Sequence, residues 1–219
     1  MYGCALCIRE EIYASDHPMV LATKNNIAQV YASEERYGEA ISLFETVIRE
    51  YCENSTEDSA FLAAVYDNLS TAYREMERYE DAIDICTEGL NIRKNIYGKR
   101  SLDYAISLNN LALIYYEMGI LNNAADIFSE ALAIKKETLP EIHGQISIGY
   151  FNLGLVYDKL HRDNEALENY RASMEIDNEL EAYEDVLLTA EYIAEIYERN
   201  DMPEDAEAYR TLCSKDDVH

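Results

Sequence analysis

The amino-acid sequence repeats itself every 42 residues, and this period limits the fold more than any other feature. Asn26, Asn68, Asn110 and Asn152 follow one another at that spacing. So do Tyr31, Tyr73, Tyr115 and Tyr157, and so do Ala40, Ala82, Ala124 and Ala166. Between residues 63 and 94, 13 of the 32 positions match the residue 42 later, far beyond coincidence. A shorter last copy carries Tyr197 and Ala206, 40 beyond Tyr157 and Ala166. A period of this size marks a stack of one supersecondary unit, each copy burying its apolar face only against its neighbours.

Within a copy the apolar residues recur at helical spacing. In the third, Ile106, Leu108, Leu111, Ala112 and Tyr115 mark one amphipathic helix. Ala124, Ile127, Phe128, Ala131, Leu132 and Ile134 mark a second. Gly119 and the Asn122-Asn123 pair are expected to interrupt them, and Pro140 and Gly144 to lie in the connection to the next copy. Ser59 and Ser101 stand where a hydroxyl can cap a first helix. His17-Pro18 fills that slot in the first copy, with Pro where a missing N–H costs nothing. Ala40, Ala82, Ala124, Ala166 and Ala206 let the two helices of a copy approach closely, the periodic Tyr filling the space beside them.

The expected fold is all-α, a right-handed superhelical solenoid of antiparallel helix pairs with a concave inner wall. About five repeats are expected, near residues 17–58, 59–100, 101–142, 143–182 and 183–213, in one domain across 1–219. Tyr2, Ala5-Leu6 and Ile8-Arg9 align with Phe128, Ala131-Leu132 and Ile134-Lys135, so residues 2–14 read as an orphan second helix. That helix either caps the solenoid or stacks on a further copy, which would make the chain a homo-oligomer or part of a longer array.

Charge narrows the partners. With 43 acidic and 18 basic residues the net charge is −25, which repels nucleic acid and anionic membrane surfaces alike. No uninterrupted apolar run reaches membrane-spanning length, and no basic segment precedes the apolar residues at the N-terminus, so a cytoplasmic protein is expected. The five Cys, at 4, 7, 52, 86 and 213, are odd in number and scattered, against a disulfide framework. Cys4-x-x-Cys7 lacks a second pair or a nearby His to complete a zinc set. No Gly-rich phosphate loop, His-Glu-x-x-His or Gly-x-Ser-x-Gly occurs, so neither a cofactor, a metal nor an enzymatic activity is expected.

Leu153-Gly154 with Tyr157 in a first helix, and Ala124, Phe128 and Ala131 in a second, resemble the tetratricopeptide repeat. The 42-residue period, Leu108-Asn109-Asn110-Leu111-Ala112 and the His17-Pro18 opening are similar to the variant found in kinesin light chains and many bacterial repeat proteins. The likeness runs from about residue 2 to about 213. It implies a protein–protein interaction scaffold whose first helices line the concave wall and bind an extended or helical peptide. It does not imply cargo transport, since no heptad coiled coil accompanies the repeats.

By register the wall carries a ladder of Asn26, Asn68, Asn110 and Asn152. A side-chain amide both donates and accepts, so such a ladder suits a peptide backbone of any sequence; related proteins are known to use it so. Equally, each Asn could hold neighbouring copies in register. Apolar wall residues gather in the middle, with Ile106, Leu113, Tyr116, Ile148, Phe151 and Leu155. Glu191, Glu195 and Glu198 form one stripe near the end, giving a bias toward basic ligands. Arg74, Lys159 and Arg199 stand isolated, unlike the paired cations with which some relatives clamp a terminal carboxylate.

Overall fold

The computed structural model describes residue 9, residues 12–55 and residues 59–215, the side chains of 212–215 excepted. Among the described residues there are ten complete helices and no strand. They are α1 (Pro18–Ser33), α2 (Tyr37–Asn54), α3 (Ala60–Glu75), α4 (Tyr79–Tyr97), α5 (Leu102–Glu117), α6 (Leu121–Thr138), α7 (Gly144–Lys159), α8 (Asp163–Glu179), α9 (Tyr183–Arg199) and α10 (Pro203–Lys215). The chain divides into two compact units, residues 1–114 and 115–219, each an all-α run of consecutively packed helices. The fold is a helical repeat solenoid. None of these helices is long and apolar enough to cross a membrane. Most of the orphan segment 2–14, Cys4 and Cys7 included, lies outside the described residues. Arg9 lies within them, and donates to the Met19 carbonyl at 3.0 Å and to the Thr23 hydroxyl of α1.

Helix starts follow the expected chemistry. Ser59 Oγ accepts from the Leu62 N–H at 3.0 Å, and Ser101 Oγ from that of Tyr104 at 3.2 Å. His17 caps α1 through Nδ1, accepting from Met19 with Pro18 at the first helical position. His143 caps α7 in the same way through Gln145, a role its sequence position did not announce. Two expectations fail: Asn122 and Asn123 do not break the chain but lie in the first turn of α6, the interruption being Met118, Gly119 and Ile120, and Gly144 is the first residue of α7 rather than part of the connection.

The turn inside each copy explains the periodic Tyr. Glu35, Glu77, Gly119, His161 and Asp201 all take positive φ, and all but Gly119 fall at 56–60°. The next N–H then folds back onto the carbonyl five residues earlier. Arg36 donates to Tyr31, Arg78 to Tyr73, Ile120 to Tyr115, Arg162 to Tyr157 and Met202 to Tyr197, at 2.9–3.0 Å. This is the Schellman closure of a helix end. In three copies the Arg after the turn stacks its guanidinium on the same Tyr ring, at 4.1, 4.4 and 4.6 Å for Arg36, Arg78 and Arg162. It also pairs with an acid in the first turn of the second helix, Glu39, Asp81 or Glu165. There the negative charge also complements the helix dipole.

The alanines are buried as expected: Ala40, Ala82, Ala124 and Ala166 are fully buried and Ala206 nearly so. One turn further along the second helices stand Phe44, Cys86, Phe128 and Tyr170, all essentially buried. A ring buried there contributes about 1.5–3 kcal/mol over an exposed one.

Candidate functional site

In the first unit the first-helix register is polar and tied to the core beneath it. Asn26 is exposed on α1, while its neighbour Asn25 is buried. Half-buried Asn68 donates from Nδ2 to Asn25 Oδ1 at 3.2 Å, joining α3 to α1. Here the amide holds neighbouring copies in register. Asn110 and Leu113 on α5 are half-buried. Below this row Arg93 pairs with Asp67 at 2.5 Å and donates to the Ser107 hydroxyl. Burial outweighs Arg93 and pushes the Asp67 carboxyl above the usual carboxylate range. Burial, with Asp67 adding, also pushes the Cys86 thiol up to about 12. That thiol lies 3.7 Å from the Ser107 carbonyl and is held neutral, the opposite of a reactive cysteine. A second inward pair joins α1 to α2, Lys24 to Glu50 at 2.8 Å.

The second unit is aromatic where the first is ionic. Phe151 of α7, Tyr170 of α8 and Tyr192 of α9 pack mutually, with ring centroids 5.4–5.6 Å apart. Leu155 packs on the same cluster, so Phe151 and Leu155 are largely core rather than a naked patch. Ile148 and Leu188, at the same register on α7 and α9, are 54% and 46% exposed. Asn152 is buried, unlike exposed Asn26, so the four asparagines share a sequence position but not an environment. Gly154 lets α7 and α8 close up: a Cβ there would meet the Tyr170 ring at 2.5 Å.

Tyr116 is half-buried, with Lys159 Nζ 3.9 Å from its ring centroid. Arg199 bridges Asp158 and Asp163 at 2.6 Å each, and these contacts with Asn200 hold Asp163 below the usual carboxylate range. Arg74 pairs with Glu75 at 2.5 Å. The three cations read as isolated are therefore all engaged by near neighbours. Glu191, Glu195 and Glu198 are exposed along α9, and Glu198 is bound by Arg210. Among the described residues no three His, Cys, Asp or Glu side chains gather as a metal site.

Tetratricopeptide repeat family models match residues 20–54, 61–137 and 149–180. The chain belongs to the tetratricopeptide repeat family. It is a protein-interaction scaffold of that family. No curated protein matches its sequence. In fold it is similar to BtubC (BKLC) from P. vanneervenii, with a TM-score of 0.85 and 19% identity over 100% of this chain and 90% of that one. It is likewise similar to the nearly identical TPR-like repeats of a candidate kinesin light chain from Podosopora anserina, with a TM-score of 0.78 and 19% identity over 93% and 99%. A third is the Rap conjugation gene regulator of plasmid pLS20 in complex with the Phr* peptide, with a TM-score of 0.68 and 18% identity over 88% of this chain and 52% of that one.

Proposed function

We propose that this scaffold binds an extended or helical peptide along the outward faces of its first helices. The observation that carries this reading is the pair of exposed aliphatic side chains, Ile148 and Leu188, at wall register on α7 and α9. Large apolar side chains repeated on one face of a repeat scaffold suit a docking surface. The Rap regulator, similar in fold, is a peptide complex, and that supports the same use here. Asn26 and Asn110 would orient the peptide backbone, Leu113, Tyr116, Phe151 and Leu155 would line its path, and Glu191, Glu195 and Glu198 would favour basic ligands. Asn68 and Asn152 would act from behind, by holding the helices that carry the exposed residues. A cytoplasmic setting fits a reduced Cys86 and the high acidic charge.

The test is selection from a random peptide library on the immobilised chain, beside an Ile148→Ser/Leu188→Ser variant. Both residues lie outside the core, so the variant should keep the native helicity and melting temperature. Peptides retained by the native chain and released by the variant place the site on the first helices. Peptides retained equally by both exclude it.

A further inference from the structure

Tyr170 has a hydroxyl that the protein itself does not use. The side chain is fully buried and its oxygen has no hydrogen-bond partner. The fold does not require the group. Phe44 and Phe128 stand at the same place in their own copies and fill it with a bare ring. Leaving a hydroxyl buried and unmatched is unfavourable, so packing alone favours Phe.

The ring of Tyr170 packs among residues of the first helices. Tyr170 belongs to a second helix, but its ring packs on Phe151 and Tyr192; Asp158 lies two turns along α7 from Phe151, and Glu195 one turn along α9 from Tyr192. All four stand on first helices, at wall register. The half-buried rings of Phe151 and Tyr192 lie 5.6 and 5.5 Å from the Tyr170 ring. The chain's own cations show what this chemistry attracts: Lys159 sits over the Tyr116 ring, and Arg199 is held by Asp158. Arg199 is shared with Asp163, and Glu191 and Glu195 add exposed carboxylates on α9. The carboxylates left open on this face are those of Glu191 and Glu195, and the unmatched oxygen belongs to the ring packed on Tyr192.

We infer that Tyr170, with Tyr192 and Glu195, forms a subsite for one basic side chain of a bound peptide, a lysine or an arginine. This rests on the peptide-binding reading above. The ammonium or guanidinium donates to the Tyr170 oxygen and to Glu195, while the aromatic rings flank its stem and head. Phe151 and Tyr192 must swing slightly aside to admit it, which sets the aromatic layer as the part that moves on binding.

The probe is a fluorescein-labelled peptide of alternating Ser and Lys, eight residues long, read by anisotropy at about 0.15 M salt. The comparison is the same peptide with every lysine acetylated. The expected results are binding weakened about tenfold by acetylation, and by about the same factor in Tyr170→Phe and in Glu195→Gln. Tyr170→Phe should at the same time melt about 2 °C or more above the native chain, since it sheds an unmatched group. Equal binding by Tyr170→Phe and the native chain overturns the subsite, as does indifference to acetylation. A lower melting temperature for Tyr170→Phe does so too, because the hydroxyl would then have an internal partner. Library peptides that depend on Ile148 and Leu188 yet show no preference for Lys or Arg overturn the subsite while leaving the docking face intact.

Discussion

Glu77 holds a backbone conformation that glycine would hold at lower cost. Its φ of 57° lies in the left-handed region, as do those of Glu35, His161, Glu181 and Asp201. Only Gly119 fills that turn with the residue best suited to it. The left-handed region costs an L side chain about 1–2 kcal/mol, offset in part by the extra freedom of unfolded glycine. Glu77→Gly should therefore stabilise the protein by about 0.5–1 kcal/mol in urea unfolding. Glu88→Gly, on an exposed position inside α4, should destabilise it by about 1 kcal/mol. If both lose stability alike, Glu77 carries no strain. Glutamate gives no hint of such a turn, and so for the bend inside each copy the sequence showed where the first helix stops only at Gly119. The alanine and tyrosine of each copy were legible because each answers to one constraint repeated at one spacing.

Between elements, the legible and the hidden divide differently. Which helix packs on which followed from the period. The polar links across those contacts did not, because they join residues 26 apart on different helices. Lys24–Glu50, Asp67–Arg93 and Ser147–Ser173 are of this kind. In a chain with 43 acids nothing in composition singles out Asp67, and the hydroxyl of Tyr170 is invisible where a tyrosine reads as one more core ring. Asp177 offers a test at this scale. It is buried where α8 meets α7, accepting from Ser173 at 3.4 Å. Burial, with Asp185 adding, raises its carboxyl above the ordinary value. A raised carboxylate favours the protonated form in the folded state. Its contribution is thus fully present below the unfolded value of about 3.9 and is lost as pH rises through the folded one. Asp177→Asn should melt above the native chain at neutral pH, and the difference should shrink as pH falls toward about 4. A difference independent of pH would mean that ionisation is not its cause.

At the scale of the whole molecule, charge outweighs any single contact. A net charge of −25 sets acids against one another, and repulsion is relieved on unfolding. Raising NaCl from about 0.02 M to about 0.2 M shortens the screening length severalfold and should raise the melting temperature. A melting temperature that falls with salt would show that the pairs around Arg36, Arg78, Arg162 and Arg199 outweigh the repulsion. Those pairs bear on something else as well. Each Tyr–Arg turn closes within six residues of chain, from Tyr73 to Arg78 for example. A gene segment encoding one copy therefore carries its own punctuation when duplicated or deleted. The array can lengthen or shorten by whole copies in a single genetic event, with no neighbour needing a compensating change at the bend.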